Sequence, residues 1–311
     1  MKFDVVTFGS SFVDVYLTAK DFKVSGGKLA MEYGGKLAVD KMVMTTGGGA
    51  TNTAAGFERL GLQTACVTCL GKDHWGLFIR KELKKEGVSQ LYIQQVNEPT
   101  SYSTILVGED GGRTVLVYRG ASNYLSWQKV EWEHLNPDWF YVSSLGGEFN
   151  LLTKIVRAGQ EKRIKVALNP GMSEINSPER LKQFLPHVEV LILNLEEAAK
   201  LTQHEPDNKT EILKDVVKLG ARLVAVTEGR KGATLLEGKK KVVLEAVKAR
   251  VVQESGAGDA FGCGLVTGLI KFTSLEKALK LGLANGASVV EHFGPKEGLL
   301  FEPEVEEWLK K

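Results

Sequence analysis

The segment Ser255-Gly256-Ala257-Gly258-Asp259-Ala260-Phe261 sets a carboxylate directly behind two glycines, at the start of a helix-like run that also holds Gly262, Gly264 and Gly268. Glycines at a helix start let a ligand approach the backbone, and the free N–H groups there, with the helix dipole, favour an anion such as phosphate. Asp259 then lies in the first turn beside that anion site. It is placed either as an ordinary helix-start acid or as a general base taking the proton of an alcohol that attacks a phosphoryl group.

A second cluster, Gly47-Gly48-Gly49-Ala50-Thr51-Asn52, precedes a helix expected over 52–60, for which Asn52 could serve as N-cap. Three consecutive glycines cost backbone entropy and make best sense where a small polar ligand touches the main chain. Four predicted strands end in small or polar residues: Gly9-Ser10-Ser11 with Asp14 close behind, Asn169-Pro170-Gly171, Asn194-Leu195-Glu196-Glu197, and Thr227-Glu228-Gly229-Arg230-Lys231-Gly232. Each alone is a turn or a cap. Their recurrence marks one edge of a sheet as a ligand crevice, since open α/β sheets bind beyond the carboxyl ends of their strands.

Competing chemistry lacks its residues. There is no GxxxxGK[ST] or HExxH, and the first strand runs into Gly9-Ser10-Ser11-Phe12-Val13-Asp14 rather than GxGxxG. The five histidines are scattered without ligand spacing. Cys66 and Cys69 form a C-x-x-C in a strand-like context, where an offset of three points the sulfurs to opposite faces.

The elements that must position these residues alternate strand and helix, the pattern of a parallel sheet covered by helices. Strands are expected at 4–8, 63–70, 164–168, 188–193 and 223–226, with a hairpin turning at Gly238-Lys239. Helices are expected at 52–60, 74–86, 151–161, 196–201, 211–219, 257–270, 275–291 and 305–309. Two stretches, 12–45 and 97–120, break the alternation. They read as antiparallel strands, the second around Glu109-Asp110-Gly111-Gly112, forming a lid inserted into one domain spanning 1–311.

Composition bounds the rest. A net charge of +2 excludes a polybasic nucleic-acid binder. No apolar run nears the ~18 residues of a membrane span, and the start carries an acid at Asp4 instead of a signal-peptide core. Three cysteines form no disulfide framework, so a cytoplasmic location is expected. The 34 glycines stand above the ~7% usual level, and the surplus is concentrated at the loops described.

In this order and spacing the motifs resemble the ribokinase (PfkB) family of carbohydrate and nucleoside kinases over the length of the chain. One signature is matched by Gly47-Gly48-Gly49-Ala50-Thr51-Asn52-Thr53-Ala54, with Gly61 and Gly71-Lys72-Asp73-His74-Trp75-Gly76 following, and another by Gly256-Ala257-Gly258-Asp259. Asn194 and Glu197 fit an NxxE motif. Thr227, Gly229 and Gly232 fit TxGxxG, and Tyr118-Arg119-Gly120-Ala121 resembles the segment leaving the lid.

The resemblance implies a three-layer α/β/α fold with a mainly parallel central sheet and a small β-sheet lid. It implies Asp259 as catalytic base, with the N–H groups of Gly256, Ala257 and Gly258 as an anion hole. Asp14, Gly47, Gly48 and Asn52 would hold the acceptor's hydroxyls. Thr227, Gly229, Gly232, Asn194 and Asn285 would line the ATP site, with Glu197 organising Mg²⁺ through water. One departure is Gln253-Glu254, where the family has an acid and a Thr or Pro; it leaves a monovalent-cation site open to question.

The implied activity is ATP-dependent phosphorylation of a small sugar. A nucleoside kinase and a non-catalytic sensor on the same fold are the alternatives, and a dinucleotide oxidoreductase lacks its fingerprint. Phe12, Tyr16 and Tyr33 could stack on a nucleobase or pack the lid, and the lid edge could pair two copies into a homodimer.

Overall fold

The computed structural model describes residues 2–108 and 112–311. Its frame is an eight-stranded sheet in the order Lys240–Leu244, Ala233–Glu237, Leu223–Thr227, Val190–Asn194, Lys165–Leu168, Trp139–Val142, Val5–Phe8, Thr64–Val67. Pairing is parallel from Thr64–Val67 through to Leu223–Thr227, and the last two strands join antiparallel. The parallel strands read as continuous apolar runs because both faces are covered. Along Trp139–Val142, Trp139 and Tyr141 enter one core while Phe140 and Val142 enter the other, as a period of two requires. The core of Phe140 and Val142 takes Leu151, Leu152 and Ile155 of the Phe149–Lys162 helix. The core of Trp139 and Tyr141 takes Ala55 and Phe57 of the Gly49–Arg59 helix and much of the pair Ala257–Lys271 and Leu275–Val290.

A separate four-stranded sheet is ordered Arg113–Tyr118, Tyr102–Val107, Phe12–Thr18, Lys41–Gly47. Its central pair is parallel, Val13 facing Tyr102, where antiparallel strands throughout were expected. The reason is connectivity: Phe12–Thr18 and Tyr102–Val107 are far apart in sequence and need no hairpin, whereas their outer partners join antiparallel. Glu109, Asp110 and Gly111 of the expected turn lie outside the described residues.

Two boundaries differ from expectation in ways that bear on the site. The helix expected at 52–60 begins at Gly49, so Asn52 lies in its first turn and is not its cap. The strand expected at 63–70 is two strands, Thr64–Val67 and Cys69–Gly71, belonging to different sheets. Cys66 and Cys69 thus sit in separate sheets. Burial pushes their thiols up to about 12 and about 11, so both are unreactive. Among the described residues no helix is long and apolar enough to cross a membrane.

Candidate active site

At the carboxyl edge of the sheet, the chain leaving three strands converges on the glycine triplet. Gly47 ends its strand with Cα against the Asp14 carboxylate, leaving no room for a Cβ. Gly48, at φ 96°, packs on the Ser10–Ser11 backbone and caps the following helix. Gly49 lies against Ser143, which leaves the neighbouring strand. The close approach is possible only because these residues lack side chains.

Starting the helix at Gly49 turns Asn52 inward. Its Nδ2 donates to Asp259 Oδ2 at 2.8 Å, and its Oδ1 is buried with no protein partner. A buried carbonyl left unpaired costs free energy unless a ligand or water meets it. Asp259 comes from the first turn of Ala257–Lys271, whose cap, Gly256 at φ 83°, is pressed against Pro295. Gly258 faces open space. The helix is 15 residues long, and its first N–H groups have no intrahelical acceptor.

Burial raises the carboxyl of Asp259 above the usual carboxylate range, while Asn52 and Lys296 pull it back. Burial likewise raises Asp14; Ser103 and Lys296 oppose this and Asp259 adds to it. Lys296 escaped the sequence reading. In Pro295-Lys296-Glu297 it resembles a solvated turn residue, yet it is buried, with Nζ donating to Thr46 Oγ1. Only the tertiary placement of that loop reveals it.

Further along the same edge, Asn194 and Thr227 are paired in register at the ends of adjacent strands. Asn194 and Glu197 form a reciprocal cap: Glu197 N–H donates to Asn194 Oδ1 and Asn194 N–H to Glu197 Oε2, both at 2.8 Å. Burial raises the Glu197 carboxyl above its ordinary value. Gly229 and Gly232 both take positive φ, and Gly232 lies flat against the backbone from Leu244 to Ala246. Leu244, Ala246, Val247, Lys280 and Leu283 line a cavity of about 530 Å³ next to it. Asn169, another strand-end candidate, spends its amide on Ile192 O at 3.0 Å.

Asn285 is placed away from open space. Its side chain is fully buried, with Nδ2 donating to Ala260 O at 2.8 Å and Oδ1 accepting from Leu300 N–H at 2.9 Å. That amide ties two helices and the C-terminal segment together.

Among the described residues no three His, Cys, Asp or Glu side chains cluster closely enough to hold a metal. Glu197 supplies one half-buried carboxylate with an oxygen already engaged. Such a donor set suits Mg²⁺ carried by nucleotide phosphates and water, not a protein cage.

A family model described as pfkB family carbohydrate kinase matches residues 2–300. The chain is 27% identical to a nucleoside kinase of Methanocaldococcus jannaschii, over 85% of each protein. It is 26% identical to a ribokinase of Haemophilus influenzae, over 95% of this chain and 93% of the relative. The structure of Arabidopsis thaliana ribokinase complexed with ribose and ATP superposes with a TM-score of 0.84 at 23% identity, over all of both chains.

Proposed function

Since the chain belongs to the pfkB family of carbohydrate kinases, we propose that it transfers the γ-phosphoryl group of ATP to a hydroxyl of a small, uncharged sugar, with Asp259 as general base. The observation that carries this reading is the Asn52–Asp259 hydrogen bond beside Asp14, with Asn52 Oδ1 buried and unmatched. Two carboxylates and an amide carbonyl are acceptors suited to several hydroxyls at once. The aromatic candidates favour a sugar over a base: Phe12 and Tyr16 are buried, Tyr16 packing on Phe293 at 5.0 Å between ring centroids, and Tyr33 is exposed.

In this mechanism Asp14 and Asn52 orient the acceptor, with the Gly47 and Gly48 backbone as its floor. Asp259 accepts the proton of the attacking hydroxyl as the new O–P bond forms. The bond between the γ-phosphorus and the bridging oxygen breaks, and ADP leaves with that electron pair. The N–H groups of Gly256, Ala257 and Gly258 stabilise charge on the transferred group. Thr227, Gly229 and Gly232 hold the nucleotide, and the cavity beside Gly232 is where its base fits. Mg²⁺, when bound, neutralises phosphate charge, with Asn194 and Glu197 ordering its water. The small sheet serves as a lid that excludes competing water.

The test is Asp259→Asn, assayed for ADP release against ribose, fructose, sugar acids, adenosine and other nucleosides. Turnover on the preferred acceptor should fall by about 10²–10⁴ while the acceptor still binds. A variant within tenfold of the unmodified enzyme would remove the base mechanism, and selective turnover of nucleosides would overturn the sugar assignment.

A further inference from the structure

We propose that Lys296 is a positioning residue of the phosphoryl-transfer site: its buried ammonium, anchored on the Thr46 hydroxyl, is fixed where its charge favours the ionised forms of Asp14 and Asp259 across the acceptor pocket. This rests on the reading of Asp259 as base and extends it to a residue that none of the sequence motifs contains.

Lys296 is only 6% exposed, and Nζ donates to Thr46 Oγ1. Thr46 precedes Gly47, the residue whose Cα lies against the Asp14 carboxylate, and Thr45 pairs with Asp14 across the small sheet. The loop carrying Lys296 is fixed from both sides. Arg59 Nη1 donates to Lys296 O at 2.7 Å while its Nε and Nη2 clasp Glu86 at 2.8 and 2.7 Å. On the other side Thr45 Oγ1 donates to Glu297 Oε1 at 3.3 Å. A long, flexible cation is therefore held in one place.

Charge accounts for the need. The groups whose charge acts on Lys296 through space are Glu297, Asp14, Glu86 and Cys66. Asp259 is hydrogen-bonded by Asn52 and feels the Lys296 charge through space, with the neutral Tyr141 and Cys263 behind it. Asp14 faces Ser103, Lys296 and Asp259. Two buried carboxylates drive each other toward protonation, and a protonated Asp259 cannot take the acceptor's proton. Lys296 is the cation that opposes this for both. Burial holds the ammonium itself down to about 8 despite its acidic neighbours, so its support is lost above that pH.

The experiment is the pH dependence of turnover from pH 5 to 9 at saturating acceptor, for the unmodified enzyme, Lys296→Met and Thr46→Val, with Asp259→Asn alongside. Lys296→Met should move the acidic limb at least one pH unit toward neutrality and abolish the alkaline decline above about pH 8. Thr46→Val keeps the ammonium but loses its anchor, so it should shift the acidic limb in the same direction by less. It decides the question if Lys296→Met fails to fold. Profiles that superimpose after scaling, with only the melting temperature changed, would assign Lys296 a purely structural role and overturn the proposal. An active Asp259→Asn would instead overturn the base mechanism beneath it.

Discussion

Gly258 shows how one residue can separate folding from chemistry. A Cβ added there meets nothing in the protein, and the backbone is ordinary helix. Gly258→Ala should therefore fold normally, its Tm level or up by about 1–2 °C from the lost chain entropy. The same methyl would stand over the N–H groups proposed to meet the phosphoryl group, so turnover should fall by about tenfold. Turnover unchanged at unchanged Tm would mean that the phosphoryl group does not approach this helix start. Residue type and spacing singled out Asp14, Asn52 and Asp259, which the fold brings near one another. Lys296 was not, because a charged residue between Pro295 and Glu297 carries no local sign of burial.

At the scale of elements, the glycines of Ala257–Lys271 have a second use. A Cβ on Gly264 would meet Leu281 O at 2.7 Å, and one on Gly268 would meet Ala278 Cα at 2.5 Å. The helix and its partner Leu275–Val290 therefore pack backbone to backbone, which steadies the turn that presents Asp259. Gly268→Ala gains about 0.5–1 kcal/mol in helix propensity but loses about 1–3 kcal/mol to overpacking. Overpacking should win, because the neighbours are main chain and cannot swing aside. Differential scanning calorimetry should find Tm lowered by about 2–6 °C; an unchanged Tm would show that the helices separate freely. Periodicity predicted both helices to within a residue. The early start at Gly49 was hidden, since a glycine run reads as loop until neighbouring backbone packs against it.

Across the whole molecule, the candidate site lies at the carboxyl edge of the sheet and a different titration sits near the start of its first strands. Glu58 is half-buried beside Asp4, accepts the Thr64 N–H at 2.6 Å, and is pushed up to about 7 by desolvation. Its native value lies above the ordinary 4.5, so the stabilisation is present at low pH and lost as pH rises through about 7. Glu58→Gln should match the parent in Tm near pH 5 and exceed it by about 1–3 °C at pH 8; equal melting at both would remove Glu58 as a source of pH-dependent stability. The chain by itself determined the α/β class, the family and the motif residues, because these depend on local pattern and order along the sequence. Tertiary structure alone decided that Asn285 is a buried tie between helices and that Lys296 is buried with its ammonium on Thr46. It also set the parallel pairing at the centre of the small sheet. Each depends on which distant segments meet, and a one-dimensional pattern does not carry that.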